Sequence, residues 1–174
     1  IILRMRRCPQ PIICLVHGAA TGGGLALALA ADVRIAAPSA RMNVAMVRVG
    51  LTGCDVGISY FLPRAVGSSV AAELMLTGRF IEADRALRVG LVSDVVPEDQ
   101  LAPTGRALAQ EMLATSPLGL RLTKDGLNLS LAAGSLEAAI AIEDRGQILC
   151  ASAGYFDEGI AAFREQRPPA FRDD

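Results

Sequence analysis

Three consecutive glycines, Gly22-Gly23-Gly24, follow an apolar run from Ile12 to Val16 and open a small-residue helix ending near Asp32. Glycine carries no Cβ, so a bound group can lie directly against the backbone there. The first N–H groups of a helix have no internal acceptor and carry partial positive charge. They suit a phosphate, a carboxylate, or a carbonyl oxygen that turns negative as a reaction proceeds. The competing reading is packing alone, since glycines in a buried α/β turn let helix and strand approach closely. Neither nucleotide-binding pattern is present. Gly18, Gly22, Gly23 and Gly24 do not form G-x-G-x-x-G, and Leu25-Ala26 stand where a P-loop needs Gly-Lys-Ser/Thr. His17 is the sole histidine, so any histidine triad or multi-histidine metal site would have to use it. A lone turn histidine needs no catalytic partner, and its ring is expected to tie down the turn before Gly18.

The chain has 174 residues, enough for one domain with a substantial core. It is 52% hydrophobic with a mean hydropathy of +0.39. No apolar run reaches the ~18 residues of a membrane span, so buried helix faces and a subunit interface account for the excess. A net charge of −1 gives no overall field that would draw in nucleic acid or a membrane. Zero tryptophan and 4% aromatic residues leave little to stack on bases. Cys8, Cys14, Cys54 and Cys150 show no C-x-x-C pairing. That favours reduced thiols in a cytoplasmic protein over a disulfide framework or a zinc site. No signal peptide is recognisable after Arg4, Arg6 and Arg7. The sequence opens inside what reads as a helix feeding the first strand, so a preceding N-terminal portion is expected.

The elements that must position the glycines follow from periodicity and breakers. Strands are expected over 12–16 and 33–36, with an extended piece over 40–44 and a strand over 91–96. Residues 50–57 read as a glycine-containing loop. Helices are expected over 58–66 despite Pro63, from Ser68 as cap to about Leu76, and over 82–89 with Gly90 as its terminator. Beyond Glu98 the pattern is helical throughout, over about 98–114, 117–129, 135–151 and 155–165. Pro117 and Gly134-Ser135 mark two of the helix starts. The division expected is 1–97 as an α/β core carrying the glycines, and 98–174 as a helical region.

Several segments in this order resemble the crotonase (enoyl-CoA hydratase/isomerase) superfamily. They are Pro11-Ile-Ile-x-x-Val-His-Gly-x-Ala-x-Gly-Gly-Gly24, Asp32-Val-Arg-Ile-Ala-Ala37 and Ala40-Arg-Met42. Leu62-Pro-Arg-x-Val-Gly67, Leu76-Thr-Gly-Arg79, Gly90-Leu-Val92, Arg121-Leu-Thr-Lys124 and Glu158-Gly-Ile-Ala-Ala-Phe163 continue the series. The resemblance implies a ββα spiral, lacking its first part here, and a helical C-terminal region that forms a homotrimer or a dimer of trimers. It implies an acyl-CoA substrate, with coenzyme A as part of that substrate and no further cofactor. It also implies that the N–H of the middle glycine, Gly23, is one half of an oxyanion hole for the thioester, flanked by Gly22 and Gly24. The second N–H comes from an earlier segment outside this sequence. One such donor is typically worth about 3 kcal/mol to the transition state.

The same resemblance marks a departure. Ala26 and Met46, the latter preceded by Ala45, stand where hydratases of the family carry two glutamates. Syn addition of water needs one group to activate the water and another to protonate carbon. Alanine and methionine do neither, so double-bond isomerisation is favoured over hydration. Val49-Gly-Leu-Thr-Gly-Cys-Asp55-Val-Gly57 resembles the loop in which dienoyl-CoA isomerases and 4-chlorobenzoyl-CoA dehalogenases carry a catalytic aspartate. The match needs a one-residue insertion before Asp55. Asp55 is therefore either the proton-transfer group or an N-cap for the helix that follows. Arg79, Lys124 and Arg167 could approach coenzyme A phosphates or serve in ordinary pairing. A non-catalytic acyl-CoA-binding relative is the alternative to an enzyme. A serine peptidase on a related fold finds no Gly-x-Ser-x-Gly elbow.

Overall fold

The computed structural model describes residues 1–171. The chain falls into two compact units, Ile1–Arg6 with Ile12–Arg106, and Arg7–Pro11 with the chain from Ala107 onward. It opens with α1 (Ile2–Arg7). The first unit then runs through β1 (Ile13–Val16), β2 (Ala19–Thr21), α2 (Gly23–Ala30), β3 (Val33–Ala36) and β4 (Arg41–Asn43). A 3-10 turn (Ala45–Val49), α3 (Ile58–Val66) and α4 (Ser68–Thr77) follow. The unit closes with β5 (Ile81–Glu82), α5 (Ala83–Arg88), β6 (Asp94–Val95) and the start of α6 (Leu101–Leu113).

β1, β3 and β6 form one parallel sheet, with β3 central and Ile13 opposite Val33. β4 is central in the other sheet, parallel to β2 and antiparallel to β5. From β1 to β4 successive strands alternate between the two sheets, with α2 carrying the chain back from β2 to β3, and β5 joins β4 before α5 leads to β6; this is the ββα spiral that the resemblance implied. Leu25, Met42, Val44, Ile58, Leu62, Leu74, Ile81 and Leu91 are its largest fully buried side chains.

The helix α2 decides where the glycines sit. It is apolar on every side, and Leu25, Ala26, Ala28, Leu29 and Ala30 are buried, which marks a core helix. Eight residues are too few to hold a helix in water, so burial must do so. The carbonyls at its C-terminal end, which no further turn of helix satisfies, find two arginines. Arg34 donates from Nη1 to Ala31 O at 2.9 Å and from Nε to Leu91 O at 2.7 Å. Arg6 donates from Nη1 to Ala30 O at 3.2 Å and to Asp32 Oδ1 at 3.1 Å. Asp32 Oδ2 in turn accepts the Ile12 N–H at 2.7 Å, tying the helix end to the start of β1. Both cations face the negative end of the helix dipole. Burial pulls the Arg34 guanidinium below its ordinary pKa, an effect partly opposed by Cys14 and Asp32 nearby.

On α4, Glu73 accepts two bonds from Arg85, at 2.8 and 2.6 Å, and one from Arg79 at 3.1 Å. The bond from Arg85, foremost, holds the Glu73 carboxyl at a pKa of about 2. The second unit holds α7 (Pro117–Ser130), α8 (Leu136–Ala151) and α9 (Tyr155–Glu165). Ser116 and Ser135 cap the first two of these, accepting from Gly119 N–H and Ala138 N–H. Among the described residues no helix is long and apolar enough to cross a membrane.

Several boundaries differ from expectation for local reasons. Ser68 does not cap α4: the cap is Gly67, at φ 79°, with no side-chain bond. The strand expected over 91–96 narrows to Asp94–Val95, because Leu91 and Val92 N–H groups turn back to Ala86 O. The long helix from Glu98 splits into a 3-10 turn, Glu98–Gln100, and α6. β2, β5 and the 3-10 turn after β4 are too short to leave a periodic signal.

The clamp on α2 gives a direct test. Arg34→Leu leaves the carbonyls of Ala31 and Leu91 without their donors. The expected cost is about 2–4 kcal/mol of stability, counting roughly 1–3 kcal/mol per unsatisfied buried group. Urea unfolding of the variant checks this, and an unchanged midpoint would contradict it.

Candidate functional site

The glycine turn is built by the second sheet. Gly22 follows β2, and its N–H donates to Asn43 O at the end of β4 at 3.0 Å, while its own carbonyl accepts Ala26 N–H at 3.0 Å. Gly22 is buried and adopts φ 52°, ψ −110°, a combination open in practice only to glycine. A Cβ there would lie 3.3 Å from Met46 Sδ and 3.7 Å from the Ala45 Cβ. Asn43 is itself buried, its Nδ2 donating to Gly78 O at 2.9 Å, so the strand end that fixes the turn is fixed in its turn.

Gly23 and Gly24 differ from Gly22. Both are exposed, and a Cβ on Gly23 would meet nothing within 4 Å. No side chain caps α2 at this end. The leading N–H groups of the helix thus have no side-chain acceptor, and the positive end of the helix dipole lies there. The arrangement can accept an oxygen that carries or gains negative charge.

The residues expected to lack carboxylates do so in an apolar setting. Ala26 is 1% exposed within α2. Ala45 and Met46, in the 3-10 turn, pack against Gly22. The same turn supports the next loop: a Cβ on Gly53 would lie 3.2 Å from Val47 Cγ1, 3.3 Å from Val44 Cγ1 and 3.0 Å from Met75 O. Gly22 and the loop leading to Asp55 are thus seated on one short element.

Asp55 is exposed in that loop. Its side chain does not cap α3, whose N-cap is Gly57 with no side-chain bond. Instead Asp55 Oδ1 accepts the Val56 N–H at 2.8 Å, and Asp55 O accepts the Ile58 N–H at 2.9 Å. Among the described residues, Asp55 has no hydrogen bond to the Gly22–Gly24 turn.

The remaining polar residues from the sequence have other partners. His17 is exposed, with Nδ1 3.6 Å from Glu98 Oε1. The turn before Gly18 is tied instead by Ser39, whose Oγ accepts Gly18 N–H at 3.3 Å and donates to Glu98 Oε2 at 3.0 Å. Arg79 pairs with Glu73. Lys124 is 5% exposed and donates to Gln10 O at 2.8 Å. Arg167 is engaged by Glu158 and Glu165, and the bond to Glu158 foremost raises its pKa. The same bond holds Glu158 at about 2. Sequence reasoning missed the roles of Arg6, Arg34 and Asn43. A charged residue inside the Val33–Ala36 strand was the available signal for Arg34.

The enoyl-CoA hydratase/isomerase family model matches residues 2–174. The chain is 49% identical over 175 residues to the "Probable enoyl-CoA hydratase EchA12" of Mycobacterium tuberculosis (strain ATCC 25618 / H37Rv), covering 100% of this chain and 61% of that protein. It is 34% identical to the 1,2-epoxyphenylacetyl-CoA isomerase of Escherichia coli (strain K12), over 98% of this chain and 64% of that one. The crystal structure of a probable enoyl-CoA hydratase/isomerase from Mycobacterium abscessus aligns with a TM-score of 0.95 at 44% identity, covering 99% of this chain and 67% of that one. The chain therefore spans 61% and 64% of the length of these two curated relatives.

The two glycine environments separate by substitution. Gly22→Ala is expected to cost about 1–3 kcal/mol, from strained backbone and the crowding by Met46. Gly23→Ala is expected to leave stability unchanged or slightly raised, since alanine is the better helix former and finds open space. Thermal melts of the two variants check this, and equal destabilisation would contradict it.

Proposed function

The chain belongs to the enoyl-CoA hydratase/isomerase family, and on that premise we propose that it acts on an acyl-CoA thioester by moving a double bond. The thioester oxygen sits at the Gly23 N–H, with Gly22 and Gly24 leaving the backbone bare around it. The uncapped start of α2 is the observation that carries this reading. Asp55 takes a proton from the carbon next to the conjugating system, and the electron pair moves onto the thioester oxygen as a dienolate. The same carboxylic acid then returns the proton further along the chain, restoring the carbonyl and leaving the double bond shifted. Atoms balance without water or any cofactor, because coenzyme A is part of the substrate. Hydration by two glutamates is disfavoured by Ala26 and by Met46 against Gly22. The same two residues favour a second reading, a relative that binds acyl-CoA without turnover.

The test uses the full-length protein and its Asp55→Ala variant against crotonyl-CoA, 3-enoyl-CoA and 3,5-dienoyl-CoA, with binding of a non-reactive acyl-CoA alongside. Turnover of an enoyl or dienoyl substrate is expected, and loss of the base should lower it about 10²–10⁴-fold while binding survives. Equal activity in both forms would remove Asp55 from the reaction. Binding without turnover in either would leave the second reading.

We also propose that copies of the protein associate through the helical unit, as a homotrimer or a dimer of trimers in a reducing, cytoplasmic setting. Leu127, Leu131, Leu136, Ile148, Phe156 and Phe163 are each more than half exposed there, which supports such a surface. Light scattering of the full-length protein at micromolar concentration should give three or six times the chain mass. A monomer mass would sink the idea.

A further inference from the structure

Among the described residues only Val56 and Gln166 adopt positive φ without being glycine. Gln166 is a helix C-cap, where that conformation is common. Val56, at φ 42°, is a β-branched residue in a region such residues rarely enter. It sits at the second position of a tight turn, Asp55 to Ile58, closed by Ile58 N–H on Asp55 O at 2.9 Å with Gly57 at φ 86°, ψ 1°. Turns of this kind want Asn, Asp or Gly at the Val56 position. The core does not ask for valine either, since the side chain is 43% exposed.

Both flanks of the turn are fixed. Gly53 is buried against Met75 O, Val44, and Val47 of the 3-10 turn, and Ile58 is fully buried. A Cβ on Gly57 would come within 2.9 Å of the Phe61 ring. Between these anchors the turn brings the Val56 N–H onto Asp55 Oδ1 at 2.8 Å. One carboxylate oxygen is thereby held and Oδ2 is left for another partner. A stiff β-branched residue locked there has few alternative conformers, whereas glycine would admit several turns between the same anchors.

We propose that Val56 is a positioning residue for Asp55, the strained turn fixing the carboxylate through the Val56 N–H. The inference rests on the reading of Asp55 as the proton-transfer group. Strain held at one exposed residue beside a carboxylate that does no capping is the juxtaposition that carries it.

A double-mutant cycle on the full-length protein tests it, with kcat and KM read for the best enoyl- or dienoyl-CoA substrate. Val56→Gly is expected to lower kcat about tenfold with KM within about twofold, the signature of a displaced group, and without lowering Tm. Val56→Asn, at home in the left-handed region, is expected to recover most of that loss. The effect of Val56→Gly is expected to vanish when Asp55 is already alanine. Wild-type kcat in Val56→Gly, or an equal fall in both backgrounds, would overturn the inference while leaving Asp55 in place. An Asp55→Ala variant as active as wild type would overturn the reading of Asp55 and this inference with it.

Discussion

A buried helix clamped at one end and bare at the other is the constraint on which the site depends. α2 has no polar side chain of its own, so its terminal carbonyls must be satisfied from elsewhere. Arg6 and Arg34 supply that, with Asp32 linking the clamp to β1. The N-terminal end, in contrast, carries no side-chain cap. The unsatisfied N–H groups and the positive end of the dipole are then available to a ligand. The buried turn at Gly22, anchored on Asn43 O, sets their direction.

What surrounds that helix start limits the chemistry. Ala26 is buried and Met46 presses on Gly22, so neither of these two positions offers a base or an acid. On the proposed reading, a helix start without adjacent carboxylates polarises a thioester but cannot by itself position water between two proton-transfer groups. In that proposal the single carboxylate of Asp55 serves a proton moved from one carbon to another. The 3-10 turn, touched by both Gly22 and Gly53, gives the two parts a common support.

Much of this was legible in the residues. The glycine run, the strand before it and the α3 helix over 58–66 were each visible as pattern and breaker, and Pro63 did not disturb the last. That Ala26 and Met46 stand at glutamate positions came from the resemblance to the family and not from pattern. The clamp was not legible, because hydrogen bonds from Arg34 to Leu91 and from Arg6 to Ala30 join positions far apart in sequence. The strands β2 and β5, three and two residues long, are made by pairing with β4 and have no periodicity to read. From sequence His17 reads as the tie for its turn, yet Ser39, itself held by Glu98, performs that task. The left-handed Val56 runs against the preference of its residue type, so no local signal could announce it.

The central claim is that the start of α2 polarises a thioester carbonyl. Isotope-edited infrared spectroscopy of a non-reactive acyl-CoA, labelled at the thioester carbonyl carbon and bound to the full-length protein, tests it most directly. The account expects the bound C=O stretch to move to lower frequency than in free solution, as donors draw charge onto the oxygen. A bound ligand whose stretch stays at the free value, or rises, would contradict it.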